Sequence, residues 1–204
     1  MAPRVFLDAN VLYPQLVRGC LLSAAVEGLI VPCWSPGVVG EWAHTALRQH
    51  GPQAEAEVRA EAASMAARWP DGLAEAAPGE GPLIGERTGA EAGPGPGLTL
   101  PDAGDVHVLS AALAAGAGFL ATFNLRDFPP RKLRDLGVAA IHPDALLWEI
   151  AGREPEAMAR ALTRALGPFP KLAASAQEAA GGLKRARLPR LAKMVKRGEI
   201  GPGA

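Results

Sequence analysis

Cysteine is nearly absent: the 204 residues hold two, Cys20 and Cys33, with no CxxC pair. That excludes a disulfide framework and a zinc ribbon and predicts buried, reduced thiols. Aromatic residues are few, five Phe, four Trp and one Tyr. Long hydrophobic runs are missing as well. The longest apolar stretch, Gly19 to Trp34, is broken by Glu27 and is too short and mixed for a membrane span. The opening MAPRVFLDANVLYP lacks the apolar core and small-residue cleavage site of a secretion signal. Together these absences predict a cytoplasmic protein that does not associate with membranes. Net charge is also absent, because 21 basic and 21 acidic residues cancel.

That cancellation hides an asymmetry. Residues 181–204 carry Lys184, Arg185, Arg187, Arg190, Lys193, Lys196 and Arg197 against the single acid Glu199, a net +6 that leaves −6 on residues 1–180. A basic tail on an acidic body is an electrostatic footprint for phosphate backbones, and equally a solvated helix face.

With 49% hydrophobic residues the chain is long enough to bury a core without covalent staples. Val5-Phe6-Leu7 reads as a buried strand ending at Asp8. Asn10 is placed to cap a helix with apolar positions at Leu12, Leu16, Leu22 and Val26, and Leu29-Ile30-Val31 reads as a second strand. Ser35-Pro36 starts the next helix, and another runs from Pro52 to Trp69. Residues 78–97 hold seven Gly and four Pro, which predicts a loop, with Leu83-Ile84 as a strand fragment within it. Further on, Asp102 caps a helix from Ala103 to Ala115, Phe119 to Phe123 is a third strand, and Val138 to Ile141 is a fourth. A short helix falls between these two strands, around Arg131 to Leu136, and Pro143 opens one through Ile150. Strands alternating with helices predict an α/β domain with a mainly parallel sheet over residues 1–152, followed by a helical extension over 153–204.

The acids that could do chemistry come singly. Asp8 follows the first strand, and ligands of open parallel sheets sit beyond the strands' carboxyl ends; an isolated Asp there can equally be a cap or turn residue. Asp105 is in helical line with Val108, Leu109 and Ala112, an apolar stripe on which a carboxylate needs a partner, a metal or the helix N-terminus. Glu41 shares its face with His44, Thr45 and Arg48 and alone reads as a surface glutamate. His44 and His107 lack ligand spacing with each other and read as structural or surface residues. Thr122 to Phe128, including Asn124 and Asp127, follows the third strand. A parallel sheet can gather such positions at one crevice. Clustered carboxylates repel one another unless cations join them, and oxygen-only sites suit Mg²⁺ or Mn²⁺, which promote phosphodiester hydrolysis.

Four segments, taken in order, resemble a known family: Val5 to Leu12, Gly40-Glu41, Pro101 to Leu109, and Ala121 to Pro129. They are similar to PIN domains, most of all to the VapC-type toxins of bacterial type II toxin–antitoxin pairs, over residues 4–150. The resemblance implies a PIN-like parallel sheet flanked by helices and a Mg²⁺- or Mn²⁺-dependent endoribonuclease. It implies Asp8, Glu41, Asp105 and Asp127 as metal-binding, catalytic carboxylates, with Asn10, Asp102, Thr122 and Asn124 in support. Many members place an Asp where this chain has Asn124, whereas others keep the Asp that matches Asp127. An RNA substrate, a homodimer and a cognate antitoxin protein are implied as partners, and the basic tail is placed to hold RNA. Asn124 in place of an acid favours a different outcome, a catalytically silent RNA- or protein-binding module on the same fold. A phosphohydrolase using Asp8 as nucleophile is a third reading, although no second acid stands two residues on.

Overall fold

A computed structural model describes residues 1–74, 100 and 103–201. The glycine- and proline-rich stretch 78–97, its Leu83-Ile84 fragment and Asp102 lie outside the described residues. In chain order the elements are β1 (Arg4–Leu7), α1 (Ala9–Leu12), α2 (Gln15–Val26), β2 (Val31–Cys33), α3 (Pro36–His50), α4 (Pro52–Arg68), α5 (Val106–Ala114), β3 (Phe119–Ala121), α6 (Pro130–Arg134), β4 (Ala139–Ile141), α7 (Pro143–Arg153), α8 (Pro155–Leu166), α9 (Pro170–Ala173), α10 (Ala176–Arg185) and α11 (Pro189–Lys196). The chain falls into two compact units. A sheet unit comprises Arg4–Tyr13 and Pro32–Ala140, and a helical unit comprises Met1–Pro3, Pro14–Val31 and Ile141–Ala204. Thus α2 and α7, read from the sequence together with the sheet, cluster with the C-terminal helices.

The sheet is four-stranded and parallel, in the order β2-β1-β3-β4, and helices flank it. β1 and β3 pair in register, Val5 with Phe119, Phe6 with Leu120 and Leu7 with Ala121. Val5, Phe6, Leu7, Leu120 and Ala121 are all fully buried. A parallel strand covered on both faces requires this continuous apolar run, since alternation would bury polar groups. From β1 the chain goes to one side to make β2 and returns on the other to make β3, so the order reverses between β1 and β3. That is the switch point at which a parallel sheet opens a crevice at its carboxyl edge.

Local chemistry explains the element boundaries. Ser35 caps α3, its Oγ accepting from the Val38 amide at 3.3 Å with Pro36 at the first turn, as its sequence predicts. The second strand starts at Val31 and not at Leu29. α2 ends with Gly28 at φ 73°, the Gly28 amide donating to Ala25 O and the Leu29 amide to Ala24 O. This Schellman closure uses Leu29 to leave the helix. The helix expected from Asn10 through Val26 is two helices, because Pro14 has no amide to continue the first. Leu21, not Leu22, faces the core of α2. The helix expected from Ala103 opens as a 3₁₀ turn over Ala103–Asp105 before α5 begins. Pro70–Gly72 is another 3₁₀ turn, and a Cβ on Gly72 would collide with the Pro32 carbonyl and the Trp34 indole.

In the helical unit, α8 packs along α2, and Gly19 and Ala165 lie at the crossing. Glu27 joins the two helices by accepting from Arg160 Nε and Arg164 Nη1, both at 2.8 Å. The buried Asp144 on α7 accepts from the amides of Arg190 at 3.0 Å and Leu191 at 3.1 Å. It thereby caps α11, whose own preceding residue, Leu188, has no capping side chain.

Candidate active site

Because β1 and β3 pair in register, their next residues, Asp8 and Thr122, emerge side by side at the carboxyl edge. The Asp8 amide extends the ladder by donating to Ala121 O at 3.2 Å. Asp8 then occupies the N-terminal cap position of α1, and its own side chain turns into the crevice as a hydrogen-bond acceptor. Thr122 Oγ1 donates to Asp8 Oδ2 at 2.6 Å, and Asn10 Nδ2 donates to the same oxygen at 2.6 Å. The Thr122 hydroxyl also accepts from Asn10 Nδ2 and from the Asn124 amide, each at 3.0 Å. Asn10 Oδ1 accepts from the Phe123 amide at 3.0 Å. Asn10 is thus not the helix cap its position suggested; it ties the two strand ends together.

Asp8 is only 6% exposed. Burial pushes its carboxyl above the ordinary aspartate range, and the negative charge of Glu41 adds to the rise. The Thr122 hydroxyl and the amides of Asn10 and Ala9 oppose it without cancelling it. A buried carboxylate beside a second acid is electrostatically unfavourable, and a bound cation would relieve both causes.

Glu41 extends from α3, between the buried Val38 and Trp42. His107 Nε2 on α5 lies 2.8 Å from its Oε1, and the other ring nitrogen of His107 faces Gly104 O. His107, read from the sequence as structural or surface, therefore belongs to the site through Glu41. The signal was there: α5 reads VHVLSAALA, and one imidazole on such an apolar helix needs a polar partner. His44 is exposed.

Asp105 ends the 3₁₀ turn before α5 and is half-buried, while Val108, Leu109 and Ala112 of its expected stripe are buried. Asp127 is half-buried in the turn after β3, its amide donating to Asn124 O at 3.1 Å, and the Asn124 side chain is exposed. Asp8, Asn10 and Thr122 are thus joined directly, the Asn124 backbone joins them, and Glu41 reaches Asp8 through its charge. Among the described residues no group of three or more His, Cys, Asp or Glu side chains stands close enough to hold a metal ion together. Asp8 and Glu41 are hard oxygen donors, which suits Mg²⁺, an ion commonly held by one or two carboxylates with waters and substrate phosphates completing its shell.

The seven basic residues of the tail belong to the helical unit. Lys184, Lys193 and Lys196 line one groove, Arg190 stacks over Trp148 at 5.5 Å, and Arg197 Nη1 lies 3.5 Å from Glu199. Arg185 and Arg187 are exposed.

Fold and site define a class: an α/β protein with an acidic crevice at the switch point of a parallel sheet. The PIN domain family model matches residues 4–126, more than half of the chain. The chain belongs to the PIN domain family, and its fold is of the nuclease type. The match is shorter than the 4–150 over which the motifs read; it takes in Asp8, Glu41, Asp105, Thr122 and Asn124 and stops one residue before Asp127. No curated protein and no solved structure matches the chain significantly. Among the described residues no helix is long and apolar enough to cross a membrane.

Proposed function

We propose that this PIN domain protein is a divalent-cation-dependent endoribonuclease that hydrolyses RNA phosphodiester bonds, and that it is the toxin of a type II toxin–antitoxin pair. The observation that carries the nuclease reading is Asp8: a desolvated carboxylate at the sheet's switch point, fixed by Thr122 and Asn10, with the charge of Glu41 alongside. Asp8 and Glu41 would hold Mg²⁺ or Mn²⁺, with Asp105 and Asp127 assigned to the same ion by their motif positions. A cation there supplies positive charge for the scissile phosphate and lowers the pKa of a bound water. Thr122 and Asn10 hold Asp8 in one rotamer, so the carboxylate is oriented before substrate arrives. The His107 imidazole stands beside Glu41, with Nε2 2.8 Å from Oε1.

The test is cleavage of a fluorogenic RNA by the full chain under Mg²⁺ or Mn²⁺ titration, with EDTA as control. We expect cation-dependent cleavage that falls at least about 100-fold in Asp8→Asn while circular dichroism stays unchanged. RNA binding without cleavage in either metal would instead favour the silent binding module, the reading suggested by the exposed Asn124. The toxin assignment rests on the motif resemblance. It predicts that expression arrests growth, that Asp8→Asn relieves the arrest, and that an adjacent small reading frame supplies the neutralising antitoxin. Light scattering tests the homodimer.

A further inference from the structure

The carboxyl edge of the sheet is acidic. Asp8 follows β1, the charge of Glu41 reaches it, and Asp127 sits in the turn after β3. A phosphodiester is itself an anion, so a nucleic acid strand is repelled from such an edge until something positive receives it. The connections from β1, β2 and β3 to the helices that follow them are all described, and they hold a single Arg or Lys, Arg126.

The fold holds this arginine in place. The Asp127 amide donates to Asn124 O at 3.1 Å and the Phe128 amide to Leu125 O at 3.3 Å, two overlapping turns with Leu125 and Arg126 at the centre of the first. One end of this double turn is tied to the site, where the Phe123 amide donates to Asn10 Oδ1 and the Asn124 amide to Thr122 Oγ1, each at 3.0 Å. The other end is tied to the core by Phe128, which is 1% exposed. Arg126 is two residues from Asn124, so its Cα lies within about 7 Å of the Asn124 Cα. Leu125 and Arg126 are both exposed, so core packing does not dictate either side chain.

Among the described residues no carboxylate or carbonyl engages the Arg126 guanidinium. Arg4, at the opposite end of β1, is the contrast. It donates from Nε to Ala115 O at 2.7 Å and from Nη2 to Asp71 O at 2.8 Å, and so serves the fold.

We propose that Arg126 is a substrate-binding residue, its guanidinium taking the non-bridging oxygens of a backbone phosphate beside the scissile bond, a role that rests on the nuclease reading of Asp8. A guanidinium offers two parallel N–H donors to a phosphate. Because the turn is already fixed, no loop has to be ordered when the strand arrives.

The experiment is cleavage of a fluorogenic RNA by the full chain in Mn²⁺, comparing wild type with Arg126→Ala, Arg126→Lys and a charge control, Arg134→Ala. Arg134 is exposed at the far end of α6. We expect kcat/KM to fall at least about tenfold in Arg126→Ala, mainly through KM, the loss of one charge-assisted contact. Arg126→Lys, which keeps the charge and loses the fork, should fall between, and Arg134→Ala should match wild type. The slope of log kcat/KM against log salt should be shallower by about 0.7 in Arg126→Ala, the value for one phosphate contact on a single strand. Mn²⁺ affinity by calorimetry should be unchanged, which a loosened turn would not allow, since the turn is bonded to Thr122 and carries Asp127. Unchanged kcat/KM in Arg126→Ala overturns the proposal. So does an equal loss in Arg134→Ala, which would be a general field effect, and so does a loss accompanied by weaker Mn²⁺ binding. If wild type cleaves no RNA, the nuclease reading fails by itself and anisotropy of a fluorescein-labelled oligouridine decides the arginine. Weaker binding with a shallower salt slope in Arg126→Ala, and not in Arg134→Ala, keeps Arg126 as the phosphate contact; identical binding overturns it.

Discussion

Asp8 is held at a cost to stability. Its carboxyl is raised in the folded state above the value it has when unfolded, so the native chain binds the proton more tightly. Its contribution is therefore fully present at acid pH and is lost as pH rises through the folded-state value. Asp8→Asn removes the ionising group and keeps an acceptor for Thr122 and Asn10. We expect it to melt higher than wild type at pH 7 by roughly 2–4 °C, the shift about 1 kcal/mol produces in a chain of this size. The gap should close toward pH 4 and should also shrink when Mn²⁺ is added, since the ion stabilises only a protein that binds it. A melting gap independent of both pH and Mn²⁺ would contradict the charge argument. Thr122 acts one step back. Thr122→Val removes the donor to Asp8, and we expect it to weaken Mn²⁺ binding about 10–100-fold by calorimetry, with Thr122→Ser close to wild type. The meeting of Asp8 with Thr122 was legible because both follow a strand's carboxyl end, whereas Asn10 read as a helix cap and its tie between the two strand ends was not legible. Nor was the Glu41–His107 contact, because it depends on how α3 meets α5, which no local spacing specifies.

Among the elements, the ones with strong local chemistry were readable and the ones set by competition were not. The Ser35-Pro36 start of α3 could be read because a capping hydroxyl and a first-turn proline agree. The start of β2 could not, because Leu29 is as apolar as a strand residue and is taken by the helix closure at Gly28. The cap of α11 was equally hidden, since Asp144 is 46 residues away from Arg190 in sequence. Asp144→Ala leaves the Arg190 and Leu191 amides without their acceptor. We expect a loss of about 1–3 kcal/mol in urea unfolding, with faster hydrogen exchange confined to α11. Asp144→Asn, which keeps one acceptor oxygen, should fall between. Glu27 gives a pH signature of the opposite sense to Asp8. Hydrogen bonds from Arg164 and Arg160 hold its carboxyl below the usual glutamate range. Its contribution is present above the unfolded value of about 4.3 and is lost as pH falls through the lower folded value. Glu27→Gln should therefore be less stable than wild type at pH 7 and indistinguishable from it at strongly acid pH.

At the scale of the whole molecule, the parallel sheet followed from the alternation of short apolar runs with helices, but its strand order, and with it the switch point, did not. The grouping of the helices is likewise a matter of packing. Composition changes near residue 152, where the strand–helix alternation ends, yet packing follows apolar faces and not composition. α2 buries Leu16, Val17, Cys20, Leu21 and Ala24, and α8 lies along it with Met158, Ala161, Leu162 and Ala165 buried. The helical unit is therefore discontinuous, with α2 supplied from before β2 and its other helices from after β4. A chain ended at Arg153 would lose α8 to α11 and expose an apolar helix face left with no aqueous equivalent. At about 25 cal/mol for each Å² of apolar surface returned to water, several uncovered leucine- and valine-sized side chains outweigh the few kcal/mol by which such proteins are stable. We expect the truncated protein to bind a hydrophobic dye, lose its cooperative melt and aggregate. A truncated protein that stays soluble and melts cooperatively at the wild-type temperature would show instead that α2 does not need its C-terminal partners.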